Sequence, residues 1–315
     1  MADEEKKKTK IDLNNLKSGG FIKERGRDLF TVRLRVPGGR MPVAKLKKIV
    51  EVTEGYGADF VHLSVRQSIE LVHVPFGKFD EITEALGEKG QKIASCGARV
   101  RVPVACGGCE YNPNGLVDTQ KAAHDVDEQL FGIDTSHKFK VTFSGCPMDC
   151  PKAATIDLGF VGAAYPAVEA DKCISCGLCV KSCTEGALKF DGNKKPVLDI
   201  SKCIYCGDCI KVCPTSAWIA EKTGYTVYAG GKWGRHPLVG TPVADFVPEG
   251  RVIEFIQVVL EWYRENAVGL GRIRLGDVIT RTGVQPFLAK LRVNFGELVR
   301  KDTHLPIEAK AGGRE

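Results

Sequence analysis

HKFKVTFSGCPMDCPKA, His137 to Ala153, is the stretch from which the rest of the chain is best read. It opens as a strand in which Lys138 and Lys140 alternate with apolar residues, so both ammonium groups share one face. A Ser144-Gly145 turn follows, then Cys146 and Cys150, each directly followed by a proline. Thiols so placed do not belong in a regular strand ladder, because proline cannot donate to it. They read as ligands on a turn, set beyond a pair of cations. The expectation is a soft metal site beside a face that attracts anions.

Working outward, 315 residues allow one large or two to three modest domains with a substantial core. Apolar content of 43% and charged content of 27% are those of an ordinary globular protein. No apolar run reaches the ~18 residues of a membrane span. The start, MADEEKKKTK, lacks the apolar segment of a secretory signal, so a cytoplasmic setting is expected. The net charge of +6 comes without an aromatic-interleaved basic patch, which argues against nucleic acid as a partner. Thirteen cysteines in a reducing compartment are not expected to pair as disulfides.

Eight of those cysteines form two copies of one motif, DKCISCGLCVKSC and SKCIYCGDCIKVCP, thirty residues apart at Cys173 and Cys203. Each has the C-x2-C-x2-C-x3-C spacing that holds [4Fe–4S] clusters in two-cluster bacterial ferredoxins, where the fourth cysteine serves the other cluster. One cluster is therefore expected on Cys173, Cys176, Cys179 and Cys213, the other on Cys203, Cys206, Cys209 and Cys183. Structural zinc is the blander alternative, though a symmetric double run of eight thiols is unusual for it. Thr184 replaces the proline that the second copy has at Pro214, which touches no ligand.

Before this module, F-T-V-R-L-R-V (Phe30–Val36) alternates strictly, putting Arg33 and Arg35 on the face opposite the apolar residues. Val43, Leu46, Ile49 and Val50 fall at helical spacing as the apolar face of an amphipathic helix over Val43–Tyr56, and short strands around Phe60–Val65 and Ile69–Val74 and a helix near Phe79–Leu86 follow. The β-α-β-β-α order predicts a ferredoxin-like α+β unit. Later segments predict a strand at Val100–Val104, a helix at Thr119–Phe131, a strand at Tyr225–Ala229, and helices at Val252–Asn266 and Val284–Leu291. The expected organisation is a disordered tail over 1–20, a ferredoxin-like half over 21–90 and a metal domain over 91–168. A cysteine-rich insert then occupies 169–218, the metal domain is completed over 219–305, and 306–315 form a loose tail.

Cys96, Cys106, Cys109, Cys146 and Cys150 lie outside the double motif. With R-L-R-V-P-G-G (Arg33–Gly39), S-V-R-Q (Ser64–Gln67), C-G-A-R-V-R (Cys96–Arg101), K-F-K (Lys138–Lys140) and G-C-P-M-D-C (Gly145–Cys150), the chain resembles the siroheme-dependent sulfite and nitrite reductases. The resemblance is greatest to the catalytic subunit of the anaerobic, dissimilatory-type sulfite reductases that carry an inserted ferredoxin module, and it extends over about Phe30 to Ala217. It implies a third [4Fe–4S] cluster, coupled to siroheme through Cys150, with Cys106 and Cys146 as further ligands. In the family pattern the second cysteine would stand at position 112, where this chain has Asn112, so Cys109 is the candidate for that ligand. Cys96 matches a family cysteine that is not a ligand.

By the same resemblance, Arg33 or Arg35, Arg101, Lys138 and Lys140 would bind the substrate anion, and Arg66 and Gln67 would serve siroheme, whose carboxylates demand cations. Taken alone, such R-x-R and K-x-K pairs are more often solvated strand faces. The implied reaction is six-electron reduction of sulfite to sulfide. Nitrite reduction to ammonia is its near rival, and an electron-transfer subunit with a degenerate siroheme site is a rival of another class. Family members with two copies of the ferredoxin-like half suggest that this chain, with one, pairs with itself or a related subunit. It would draw electrons from a separate reductase subunit or ferredoxin.

Overall fold

The computed structural model describes residues 12–308, an α+β protein that divides into two compact units. One unit runs to Gly97 apart from Pro37–Gly39; the other comprises Pro37–Gly39 and the chain from Ala98 onward.

The first unit is a four-stranded antiparallel sheet in the order Phe21–Lys23, Leu29–Arg33, Ile69–Pro75, Val61–Leu63, with helices at Val43–Gly55 and Phe79–Gly87. Phe30, Val32, Leu34 and Val36 are buried as the alternation requires. Phe79 stacks on Phe21 with ring centroids 4.2 Å apart and meets Phe30 edge-on. Each such side chain, fully buried, contributes about 1.5–3 kcal/mol.

Two expectations fail here. Val43, Leu46 and Val50 do not face the core; they are exposed, and the buried stripe of that helix is Ile49, Val52 and Thr53. Helical spacing defines an apolar stripe, but not whether the sheet packs beneath it. Residues 12–20 of the expected tail are also ordered. Asp12 caps a helix at Leu13–Ser18 by accepting from the Asn14 and Asn15 N–H groups. Residues 1–11, with the Lys6–Lys8 run, and 309–315 lie outside the described residues. Within the other expected tail, Ile307–Glu308 pairs with Leu238–Val239.

The second unit is built on a mixed five-stranded sheet in the order Thr241–Val247, Trp218–Ala229, Leu158–Val168, Val141–Ser144, Val104–Ala105. The last three strands run parallel and the others antiparallel. Helices Thr119–Leu130, Val252–Asn266, Leu275–Thr282 and Val284–Phe295 contribute the apolar residues that bury Phe143, Phe160, Tyr225 and Val227. The expected strand at Lys138 begins at Val141, with Phe139 bridging Val100 just before it.

The cysteine-rich segment joins two long neighbouring strands, which pair from Ala229 against Leu158 up to Trp218 against Val168. Its ends therefore leave the sheet side by side. Within it, helices Leu178–Ser182 and Asp208–Lys211 occupy corresponding places in the two copies, and Leu188–Phe190 pairs with Pro196–Leu198 between them. Ser175 and Tyr205 take matching left-handed φ values of 57° and 61°, and Gly177 and Gly207 of 79° and 76°.

Candidate metal and anion site

Cys106, Cys146 and Cys150 stand on loops at the carboxyl ends of the parallel strands, Cys109 sits in a short helix at Gly108–Tyr111, and Cys96 belongs to the first unit. Cys106 follows Val104–Ala105, and Cys146 comes two residues after Ser144. The loops are stitched together: Cys106 N–H donates to the Phe143 carbonyl (3.1 Å), Leu116 N–H to the Gly145 carbonyl (2.8 Å), and Gly145 N–H to Cys106 Sγ (3.0 Å). Thr119 and Gln120, at the start of a helix capped by Asp118, both donate to the Cys106 carbonyl. Gly145 and Gly162 let these layers touch, since a Cβ on Gly162 would lie 2.3 Å from the Gly145 carbonyl oxygen. Gly162→Ala should therefore displace the Cys146 turn and cut iron loading at this site, measurable as iron per chain.

Burial pushes the Cys146 thiol up, and Cys106 and Cys150 are among the groups acting on it, so these three are neighbours. Cys109 is exposed, and its thiol is raised by burial and then by Asp118, Glu249 and Glu110, an acidic setting. Asp149, between Cys146 and Cys150, accepts from the Ala153 and Ala154 N–H groups and holds the turn at a φ of 44°.

The eight repeat cysteines line two clefts. Cys183, Cys203, Cys206 and Cys209 line one, and Cys173, Cys176, Cys179 and Cys213 the other. Ser175 N–H points at Cys173 Sγ and Tyr205 N–H at Cys203 Sγ, both at 3.4 Å. Burial lifts Cys206 to about 11 and Cys209 to about 12. At Cys213 burial acts in the same direction, but donors from Trp218, Thr215 and Ala217 outweigh it and hold the thiol below its ordinary value. Among the described residues, no three His, Cys, Asp or Glu side chains converge tightly enough to hold a single metal ion. The thiols instead ring clefts, with N–H groups aimed at sulfur, a donor set suited to a larger cluster.

The cations gather at the other end of the Val141–Ser144 strand. Lys138 is part-buried; burial depresses its ammonium, and Arg274, Arg101 and Arg272 depress it further, against the opposing pull of Asp157. His137 is lowered by burial and then by Arg274 and Arg272. Asp157 is fully buried and takes a two-point bond from Arg274 at 2.7 and 2.6 Å, while its Oδ2 also accepts Lys140 N–H at 3.0 Å. Arg272, Arg274 and Asp157 do not stand out in the sequence. Asp157 lies 117 residues from Arg274, and no local pattern joins them.

The candidate residues of the first unit are placed differently. Arg33 is held by Glu70 at 2.6–2.7 Å and donates to Cys96 Sγ at 3.3 Å, so its charge already has a part-buried counter-ion. Arg35 lies on the same strand edge, its N–H bonded to the Lys92 carbonyl. Arg66 and Gln67 occupy the turn between two strands, with Gln67 N–H closing onto the Ser64 carbonyl.

Residues 96–298 match the model of the nitrite and sulphite reductase 4Fe-4S domain, and residues 22–89 match that of the nitrite/sulfite reductase ferredoxin-like half domain. The chain belongs to the nitrite and sulphite reductase family. It is 30% identical to one of the subunits of the anaerobic sulfite reductase of Salmonella typhimurium, over 96% of this chain and 94% of that one. It is 34% identical to the coenzyme F420-dependent sulfite reductase of Methanocaldococcus jannaschii over 90% of this chain, and spans 45% of that longer protein. The crystal structure of dissimilatory sulfite reductase I shares the fold, with a TM-score of 0.70 at 20% identity, covering 90% of this chain and 73% of that one. Ferredoxin–nitrite reductase of spinach matches over 45% of this chain at 23% identity. No helix among the described residues is long and apolar enough to cross a membrane.

Proposed function

We propose that this chain is the catalytic subunit of a siroheme- and [4Fe–4S]-dependent sulfite reductase. The observation that carries the reading is the cationic group of Arg101, Lys138, Arg272 and Arg274, set against the buried carboxylate of Asp157. A part-buried ammonium that neighbouring guanidinium groups depress is stabilised by a bound anion, whether the substrate or the carboxylates of siroheme. Cys106, Cys146, Cys150 and Cys109 would hold the coupled cluster, with Cys150 shared with the siroheme iron. The two clefts of the cysteine-rich module would hold the remaining clusters. Siroheme and its cluster, when bound, supply the electrons and the iron centre at which sulfite sulfur is reduced.

The chain's own residues bind and protonate. Lys138 and Lys140 present ammonium groups that neutralise the oxyanion and hydrogen-bond its oxygens. The Asp157 carboxylate fixes the Lys140 backbone, so the direction of both lysines depends on it. Reduction of sulfite to sulfide consumes six electrons and releases the oxygens as water, so each oxygen needs protons as it leaves. Lys138, with its depressed ammonium, is suited to donate them. Arg35, Arg66 and Gln67 would be contributions of the ferredoxin-like unit, as would Arg33, which is paired with Glu70. Sulfite is favoured over nitrite because two relatives matching 90% or more of the chain carry the sulfite reductase name, while the nitrite reductases match under half of it. A separate reductase subunit or ferredoxin would supply electrons, and a second copy or a related subunit would complete the assembly.

The test is anaerobic purification from a host able to supply siroheme, with iron count, extracted tetrapyrrole and sulfite turnover on one sample. Siroheme with about twelve irons, four in each of three clusters, supports the reading. About eight irons and no tetrapyrrole would leave an electron carrier.

The lysines carry a pH signature. Lys138 loses its proton at a lower pH than a free lysine, so anion affinity should fall as pH rises through that depressed value. Nitrite, whose own charge is constant above its acid range, is the suitable probe. Lys138→Arg keeps its charge and should hold affinity to higher pH. Lys138→Ala with Lys140→Ala should raise the anion KM about ten- to a hundred-fold, the worth of one to two charge-assisted hydrogen bonds. Siroheme content should change far less; equal loss of both would assign the lysines to the cofactor.

A further inference from the structure

The two halves of the cysteine-rich module differ at one informative position. Five residues after the fourth cysteine, the first copy has Leu188 (from Cys183) and the second has Trp218 (from Cys213). Leu188 lines the Cys183/Cys203/Cys206/Cys209 cleft and Trp218 lines the Cys173/Cys176/Cys179/Cys213 cleft, so leucine and tryptophan occupy corresponding places. Trp218 is 3% exposed, yet its indole Nε1 has no hydrogen-bond partner among the described residues. An indole N–H is a donor only, and burying it unsatisfied costs on the order of 1–3 kcal/mol. Its backbone N–H is already used, on Cys213 Sγ. A buried donor left over on the wall of a thiol-lined cleft calls for an acceptor inside that cleft.

A second difference acts in the same direction. Two residues after Cys206 the module has Asp208, beside the Cys206 thiol, where the other copy has Leu178. A fixed negative charge opposes the arrival of an electron, and an N–H donated to sulfur favours it.

We propose that the Trp218 indole N–H donates to a sulfur of the cluster held by Cys173, Cys176, Cys179 and Cys213, making it the more readily reduced of the two clusters. This rests on the reading that both clefts hold [4Fe–4S] clusters. The module then has an order of filling: the first electron settles in the Trp218 cleft. The other cleft borders the metal domain, with Tyr205 accepting from Ala164 N–H (2.9 Å) and Lys211 bonded to Asn114. It receives the electron next.

The experiment is an EPR-monitored redox titration of the full chain and of Trp218→Leu, which copies the other repeat, and Trp218→Phe. Both variants should lower the higher of the two module midpoints, leave the lower one in place and so narrow the gap. Unchanged midpoints at full iron content would overturn the proposal. Should the variants lose the cluster, the unaltered protein decides the matter. Labelled with indole-15N tryptophan and reduced by one electron, it should show a 15N hyperfine coupling in pulsed EPR. Trp262, packed on Phe287, and the exposed Trp233 line neither cleft. Absence of that coupling in the signal of the more readily reduced cluster would refute the assignment. A wild-type protein with no module clusters by iron count and EPR would instead refute the reading on which it rests.

Discussion

Cys150→Ser is expected to abolish the proposed sulfite reduction while the iron of the cysteine-rich module stays in place. Cys150 lies on the turn after Cys146, where Asp149 locks the backbone through two N–H groups, so the substitution changes one atom without moving the loop. A hydroxyl is a far poorer ligand than a thiolate for iron, and it provides no sulfur to couple two metal centres. Turnover should fall to background, the spectroscopic interaction between siroheme and its cluster should vanish, and the signals of the module clusters should persist. Full activity in this variant would show that Cys150 is not the shared ligand.

Arg274→Met is the most destabilising single change expected away from the thiols. It removes the cation from Asp157, which is fully buried and also anchors Lys140. Breaking a buried pair by deleting one partner leaves an uncompensated charge and costs about 3–5 kcal/mol. For a unit of this size, that corresponds to a fall in Tm of roughly 10 °C. Adding Asp157→Leu should recover part of the loss, because replacing both partners by apolar groups leaves no charge behind. The double variant should still bind anions poorly, since nothing then holds the Lys140 backbone. If Arg274→Met alone left both Tm and anion affinity unchanged, the pair would be neither structural nor orienting.

Much of the site was legible because its chemistry is written locally. The double cysteine run, the Cys146/Cys150 turn and the K-F-K pair are each set by short-range spacing, which fixes the side chains that share a face or a loop. Helices such as Val252–Asn266 were equally clear from their apolar period. What stayed hidden depends on long-range packing. Arg272 and Arg274 read as ordinary basic residues until the fold carries them to Asp157, Lys138 and His137. Arg33 and Arg35 were indistinguishable by alternation, and the pairing of Arg33 with Glu70 appears only once the Ile69–Pro75 strand lies beside it. The Val43–Gly55 helix was placed correctly but rotated wrongly, because its stripe of Val43, Leu46 and Val50 has no sheet beneath it. Trp218 was legible in principle, since aligning the two repeats sets it against Leu188, but its unpartnered N–H appears only once the strand is built.

Sulfite added to the reduced holoprotein under anaerobic conditions, with the electrons consumed counted and the product assayed, decides whether the chain reduces sulfite. Sulfide is expected at one equivalent per six electrons, with nitrite handled less well. Reduced clusters that sulfite fails to reoxidise, in protein loaded with siroheme, would contradict it and leave a chain that carries electrons without reducing sulfite.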